Sequence, residues 1–130
     1  MPRFGRSSKK QLKTCNKSLQ ELFNEVIKHF DCTIIEGYRN ESDQNSAVAN
    51  GFSKAIYPNG RHNKLPSDAV DVAPYPIDWD DTERFIYFAG FVKGIASKMD
   101  INIIWGGDWN NNTQLKDNNF QDLVHFELKK

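Results

Sequence analysis

Cysteine is scarce: Cys15 and Cys32 are the only two in 130 residues, and they form no Cys-x-x-Cys pair. That excludes a disulfide framework and a thiolate metal cluster, so both are expected as free thiols made in a reducing compartment. Long apolar runs are missing as well. No stretch approaches the roughly 18 residues that cross a bilayer, and MPRFGRSSKK lacks the apolar block of a secretory signal, so neither membrane insertion nor a leader is expected. There is no internal repeat, low-complexity tract or linker, which leaves one folding unit. Acids are absent from residues 1–17, which hold six of the 17 Lys and Arg. The remainder has 11 bases against 17 acids, a net of −6 beneath a formal charge of zero. A basic arm over 1–17 could touch an anionic polymer such as teichoic acid. The plainer reading is a solvated, partly frayed terminus, and no nucleic-acid partner is expected.

What is present is enough for a core, since 38% of the residues are hydrophobic and 12% aromatic. Leu19, Leu22, Phe23, Val26, Ile27 and Phe30 recur at helical spacing, and Ser18 with Glu21 reads as a capping box, so a helix is predicted over 18–30. CTIIEGYR reads as a strand running into a turn at Gly37 that delivers Arg39. Residues 41–50 look helical and stop at Asn50-Gly51. AVDVA is a brief strand ended by Pro74 and Pro76, residues 81–99 form a second long helix capped by acids at Asp78, Asp80 and Asp81, and INIIW and VHFEL close the chain as strands. Alternating helices and short strands make one α+β domain: a short antiparallel sheet with helices on one side.

The chemistry concentrates in two of those strands. By the period of two, His125 and Glu127 share one face of VHFEL while Val124, Phe126 and Leu128 share the other. In AVDVA, Asp71 lies between the small residues Ala69 and Ala73, opposite Val70 and Val72. A carboxylate buried there needs a cation or several donors. Two imidazoles, His62 and His125, with Asp71 would make a three-ligand zinc site that leaves a fourth position to water; the alternative is two separately hydrogen-bonded imidazoles. A hydrolytic zinc site also needs a base, and Asp122 serves if it sits in the turn before the last strand. The loop from Asp108, with Asn110, Asn112 and Gln114 alternating, has the outline of a calcium loop without its carboxylates or a Glu at the twelfth position, so no calcium is expected. Trp109 in that loop is a groove candidate, Trp105 a core residue and His29 a surface one.

EGYR, RHNKLPSDAVDVAPYPIDW, FAGFVKGIA and IIWGGDWN…DNNFQDLVHFEL together resemble the peptidoglycan-cleaving zinc peptidases of the D-alanyl-D-alanine carboxypeptidase and L-alanyl-D-glutamate endopeptidase family, in its phage endolysin branch. The resemblance spans about Leu19 to Leu128. It implies a hedgehog/D,D-peptidase-like fold over 18–130, one Zn2+ per chain on His62, Asp71 and His125, Asp122 as base, Arg39 stabilising the oxyanion and Gln44 lining the substrate groove. It further implies a monomeric endolysin that cleaves bacterial peptidoglycan, waiting in the host cytoplasm until a holin opens the membrane. A D,D-carboxypeptidase and a zinc-bearing module without catalysis are the rival readings. Two departures stand out: Gly60 replaces the family's usual serine, with Asp71 nine rather than seven positions after His62, and the base is Asp where many relatives have Glu. Ser67 or Asp68 is the candidate to replace that serine's support of a ligand, and Glu127 the candidate to orient Arg39 or a ligand.

Overall fold

The computed structural model describes residues 2–116 and 121–129. In chain order it contains α1 (Arg6–Leu12), α2 (Lys17–Val26), β1 (Cys32–Glu36), α3 (Glu41–Ala49), a 3-10 turn (Arg61–Asn63), β2 (Ala69–Pro74), α4 (Thr82–Lys98), β3 (Ile103–Trp105) and β4 (His125–Leu128). The strands form one sheet in the order β1-β2-β4-β3, every neighbouring pair antiparallel. This is the α+β arrangement expected.

Alternation decides which face is packed. Val70 and Val72 of β2, Phe126 of β4 and Ile34 of β1 point into a core closed by α2 and α4. Phe126 sits edge-on to Phe23 of α2 at 5.5 Å and to Phe88 of α4 at 6.2 Å, ring centroid to centroid, an arrangement that aromatic quadrupoles favour. Asp71, His125 and Glu127 are left on the opposite face, and register does the rest, because Asp71 pairs directly with His125 and Ala69 with Glu127.

Three local expectations are corrected. Helix α2 is capped by Asn16, whose side chain accepts from the Ser18 amide at 3.0 Å, rather than by a Ser18–Glu21 box. Asn16 is fixed for that duty by its own N–H, which donates to the Ser67 carbonyl at 2.7 Å. The helix also ends at Val26, and residues up to Phe30 continue only as turns. The N-terminal segment, expected to be frayed, folds: Phe4, Leu12 and Cys15 are buried in the main core. Helix α1 lies along β1, an edge strand whose outward N–H groups need acceptors. Ser8 Oγ accepts from Ile34 N at 3.0 Å, Gln11 Oε1 from Gly37 N at 3.1 Å and Thr14 Oγ1 from Tyr38 N at 2.8 Å. Both cysteines are free and buried, and desolvation pushes each thiol up to about 12, which leaves them unreactive.

Candidate active site

Three elements deliver the ligand candidates. Strands β2 and β4 place Asp71 beside His125, and the 3-10 turn after Gly60 brings His62 over them, 3.2 Å from Asp71 Oδ1 by its Nε2. His125 Nδ1 lies 3.4 Å from the same oxygen and 3.2 Å from His62 Nε2. One ligand atom from each residue falls within 4.8 Å of the others, and all three residues are buried.

The partners of the two rings decide what those atoms carry. His62 Nδ1 meets the Gly37 carbonyl at 2.7 Å, and His125 Nε2 meets Glu127 Oε1 at 2.7 Å. Both oxygens can only accept, so each of these nitrogens holds the ring proton and turns a lone pair on the opposite nitrogen toward Asp71. Asp71 Oδ1 is buried and accepts no hydrogen bond. With both rings neutral, three electron-rich atoms thus face one another in a buried site, and a divalent cation would neutralise them. The donor set, two imidazoles and one carboxylate, is that of a metal centre with an open position.

The electrostatics agree. Burial alone raises the Asp71 carboxyl, but His62 and His125 outweigh it and hold it well below the ordinary carboxylate range. Burial also opposes the charged form of His125, yet Asp71 and Glu127 prevail and raise the imidazole to about 9. Without a cation, a proton on that ring relieves the crowding.

Asp122 lies in the turn that precedes β4, where its carbonyl accepts from His125 N at 3.1 Å and its amide donates to the Gly106 carbonyl at 2.8 Å. Gly106 is required there, since a Cβ would collide with the Asp122 carbonyl oxygen. Burial pushes the Asp122 carboxyl up to about 6; the charge of Asp71 adds to the effect, while His125, His62 and Arg39 oppose it. That places it in the working range of a proton acceptor.

Arg39 is buried and heavily engaged: Nε donates to Glu36 Oε1 at 2.9 Å, a terminal nitrogen to Gln44 Oε1 at 2.9 Å, and the other stands 3.6 Å from Asp71 Oδ2. A bulge between Ile34 and Glu36 sets Glu36 opposite Asp71, which makes this bridge feasible. Gln44, expected to line the substrate groove, borders the cleft but is wholly buried. Its Oε1 accepts from Arg39 and Asn63, and its Nε2 donates to Ser53 Oγ and the Ala55 carbonyl, so every group it has is engaged within the protein. It braces Arg39 instead of offering a free amide to a ligand.

Ser67 touches no ligand candidate directly: its hydroxyl donates to the Ala69 carbonyl at 2.7 Å and stands 3.5 Å from the Gly37 carbonyl, the group that meets His62 Nδ1. At Gly60 a Cβ would lie 2.5 Å from Asn63 Oδ1, the atom that accepts from Gly60 N, so the turn before His62 is built for glycine. Glu127 orients His125, and its other oxygen faces Arg61 Nε at 3.4 Å rather than Arg39. Trp109 stands over the centre, its ring 5.1 Å from that of His125. In the loop below it the Asp108 carboxylate is filled by the Asn112 and Thr113 amides; the twelfth position of the calcium-like pattern, Asn119, is outside the described residues.

Sequence reasoning missed Gly37, Gly106, Glu36 and Arg61, because each acts through a neighbour that only the folded chain supplies. A cleft of ≈ 240 Å³, bordered by Arg39, Lys54, Arg61, Trp109, Asp122 and His125 among others, opens over the centre. An apolar groove of ≈ 650 Å³ with Ile35, Phe52, Trp79 and Val124 shares Arg39 and Asp122 with it.

The family profile of phage L-alanyl-D-glutamate peptidases matches residues 1–129. The chain is 32% identical over 113 residues to the L-alanyl-D-glutamate peptidase of Escherichia phage T5, an alignment covering 83% of this chain and 82% of that relative. The crystal structure of the L-Ala D-Glu endopeptidase ChiX of Serratia marcescens shares the fold, with a TM-score of 0.75 over 98% of this chain and 90% of that one at 23% identity. By the profile match and the phage T5 relative, the chain belongs to the phage L-alanyl-D-glutamate peptidase family.

Proposed function

We propose that the chain is a zinc-dependent endopeptidase that hydrolyses the L-alanyl-D-glutamate amide of the peptidoglycan stem peptide, and that it serves host lysis. The observation that carries this reading is the convergence of His62 Nε2, His125 Nδ1 and Asp71 Oδ1, three atoms within 4.8 Å of one another, beside a carboxylate raised to about 6. His62, Asp71 and His125 would hold the ion, which would supply Lewis-acid polarisation to a water and to the scissile carbonyl. Gly37 and Glu127 keep the two imidazoles in the right tautomer. Asp122 accepts the proton of the attacking water and returns it to the departing amine of D-glutamate. Arg39, braced by Glu36 and Gln44, fixes the second oxygen of Asp71 and directs positive charge toward the developing oxyanion. Trp109 closes the cleft against bulk water. Made in the host cytoplasm, such an enzyme reaches its substrate once a holin opens the membrane.

The test is digestion of purified wall by the zinc-loaded chain with mass spectrometry of the products. New D-glutamyl amino termini and L-alanyl carboxyl termini support the reading; release of D-alanine alone would assign a carboxypeptidase instead. Asp122→Asn should keep the metal and lose the cleavage.

A further inference from the structure

Arg61 directly precedes His62 and lines the same cleft. Its Nε stands 3.4 Å from Glu127 Oε2, while Glu127 Oε1 holds His125 Nε2 at 2.7 Å. The guanidinium is therefore paired with the ligand set through Glu127. Among the described residues its two terminal amino groups, with four N–H donors between them, donate no hydrogen bond. The side chain is 40% exposed, open to a ligand on its outer edge. Lys54 and Arg39 border the same cleft beside Asp122 and Glu127, whereas the adjoining groove, which shares Arg39, carries Glu36, Asp43, Asp71 and Asp122 among apolar residues. The cations Arg61 and Lys54 thus lie on the cleft side of the substrate path. A planar fork anchored at one nitrogen and open at the others is matched to a carboxylate.

We propose that Arg61 is a carboxylate-recognition residue, taking the free α-carboxylate of the D-glutamyl residue on the leaving side of the scissile bond, with Lys54 adding charge. The inference rests on the endopeptidase reading and deepens it. It assigns the D-glutamyl side of the substrate to the cleft with Arg61 and Lys54 and the L-alanyl side to the groove of Ile35, Phe52 and Trp79. It also makes amidation of that carboxyl a determinant of which walls are cut.

The experiment compares two synthetic stem peptides, one with the D-glutamyl α-carboxylate and one with the α-carboxamide, cleaved by the zinc-loaded full chain. The expected wild-type preference in kcat/KM is about 10- to 100-fold for the free acid, the range of a charge-assisted bond lost. Arg61→Gln should collapse that ratio toward one, and Arg61→Lys should retain part of it. Metal affinity measured by chelator competition separates recognition from loosening of His125. Equal wild-type rates on the two peptides, an undiminished ratio in Arg61→Gln, or a uniform loss on both peptides that tracks weaker metal binding would each overturn the assignment. Were neither peptide cut at the alanyl-glutamyl bond, the endopeptidase reading itself would fail; cleavage there without discrimination removes Arg61 alone.

Discussion

Replacing Asp122 by asparagine should damage catalysis and improve stability together, because the same burial that suits this carboxyl to the proposed role of base makes its charge unfavourable. Its folded value is about 6 against an ordinary 3.8. A difference of about 2 units at 1.36 kcal/mol each sets a ceiling of about 3 kcal/mol. Asp122 is only partly buried, so solvent screening lowers the figure to about 1–2 kcal/mol. The sign follows from linkage: a carboxyl whose folded value is raised binds its proton more tightly in the folded state. The penalty is therefore absent below about pH 4, grows as the pH rises through 4 to 6, and is complete above about 6. Urea denaturation of the metal-free protein at pH 8 should show Asp122→Asn more stable than wild type by that amount, with a gain that shrinks toward pH 4. Cleavage by the zinc-loaded variant should fall by about 10²- to 10⁴-fold, the usual contribution of a general base. A variant that is less stable at pH 8, or whose gain ignores pH, refutes the account of Asp122 as a desolvated proton acceptor.

Three further outcomes follow from the geometry. In wild type, kcat/KM should decline as pH falls through about 6 or slightly lower, since a bound cation draws the carboxylate down; a flat profile to pH 4 would remove Asp122 as base. Metal and proton compete for His125, raised to about 9, so apparent zinc affinity should fall about tenfold for each pH unit below that value; calorimetry in buffers of different ionisation enthalpy should register proton release near one per ion. Gly37→Ala presses a Cβ against Thr14 Oγ1 and the Gln11 carbonyl, displacing the peptide that orients His62, and should weaken metal binding about 10- to 100-fold while Phe126-centred packing persists in near-ultraviolet spectra.

Where the site was legible in the sequence, the signal was periodic. Alternation alone set Asp71 apart from Val70 and Val72, and His125 with Glu127 apart from Phe126. What alternation does not carry is register. The direct Asp71–His125 pairing depends on how β2 and β4 meet, and the facing of Glu36 with Asp71 depends on a bulge at Ile35 with no mark in the residue types. Helix α1 was hidden for a related reason. Its seven residues are mostly polar, and it is held by Ser8, Gln11 and Thr14 bonding an edge strand far along the chain, so charge pattern made it look like a tail. Gln44 was expected in the groove from the family resemblance; it does border the cleft, and the set of its four partners shows it bracing Arg39. Asn16 outcompeted Ser18 as a cap through a tertiary bond to Ser67, which no local pattern contains.

In the proposed reading one divalent ion, held by His62, Asp71 and His125, makes this chain a peptidase. The most direct test strips the protein with a chelator, returns zinc in steps, and follows bound metal and wall-peptide cleavage in the same sample. Cleavage should rise in proportion to bound zinc and level off at one ion per chain, with neither binding nor cleavage restored in His62→Ala. Full cleavage by the stripped protein, or tight zinc binding that survives loss of His62, would contradict it.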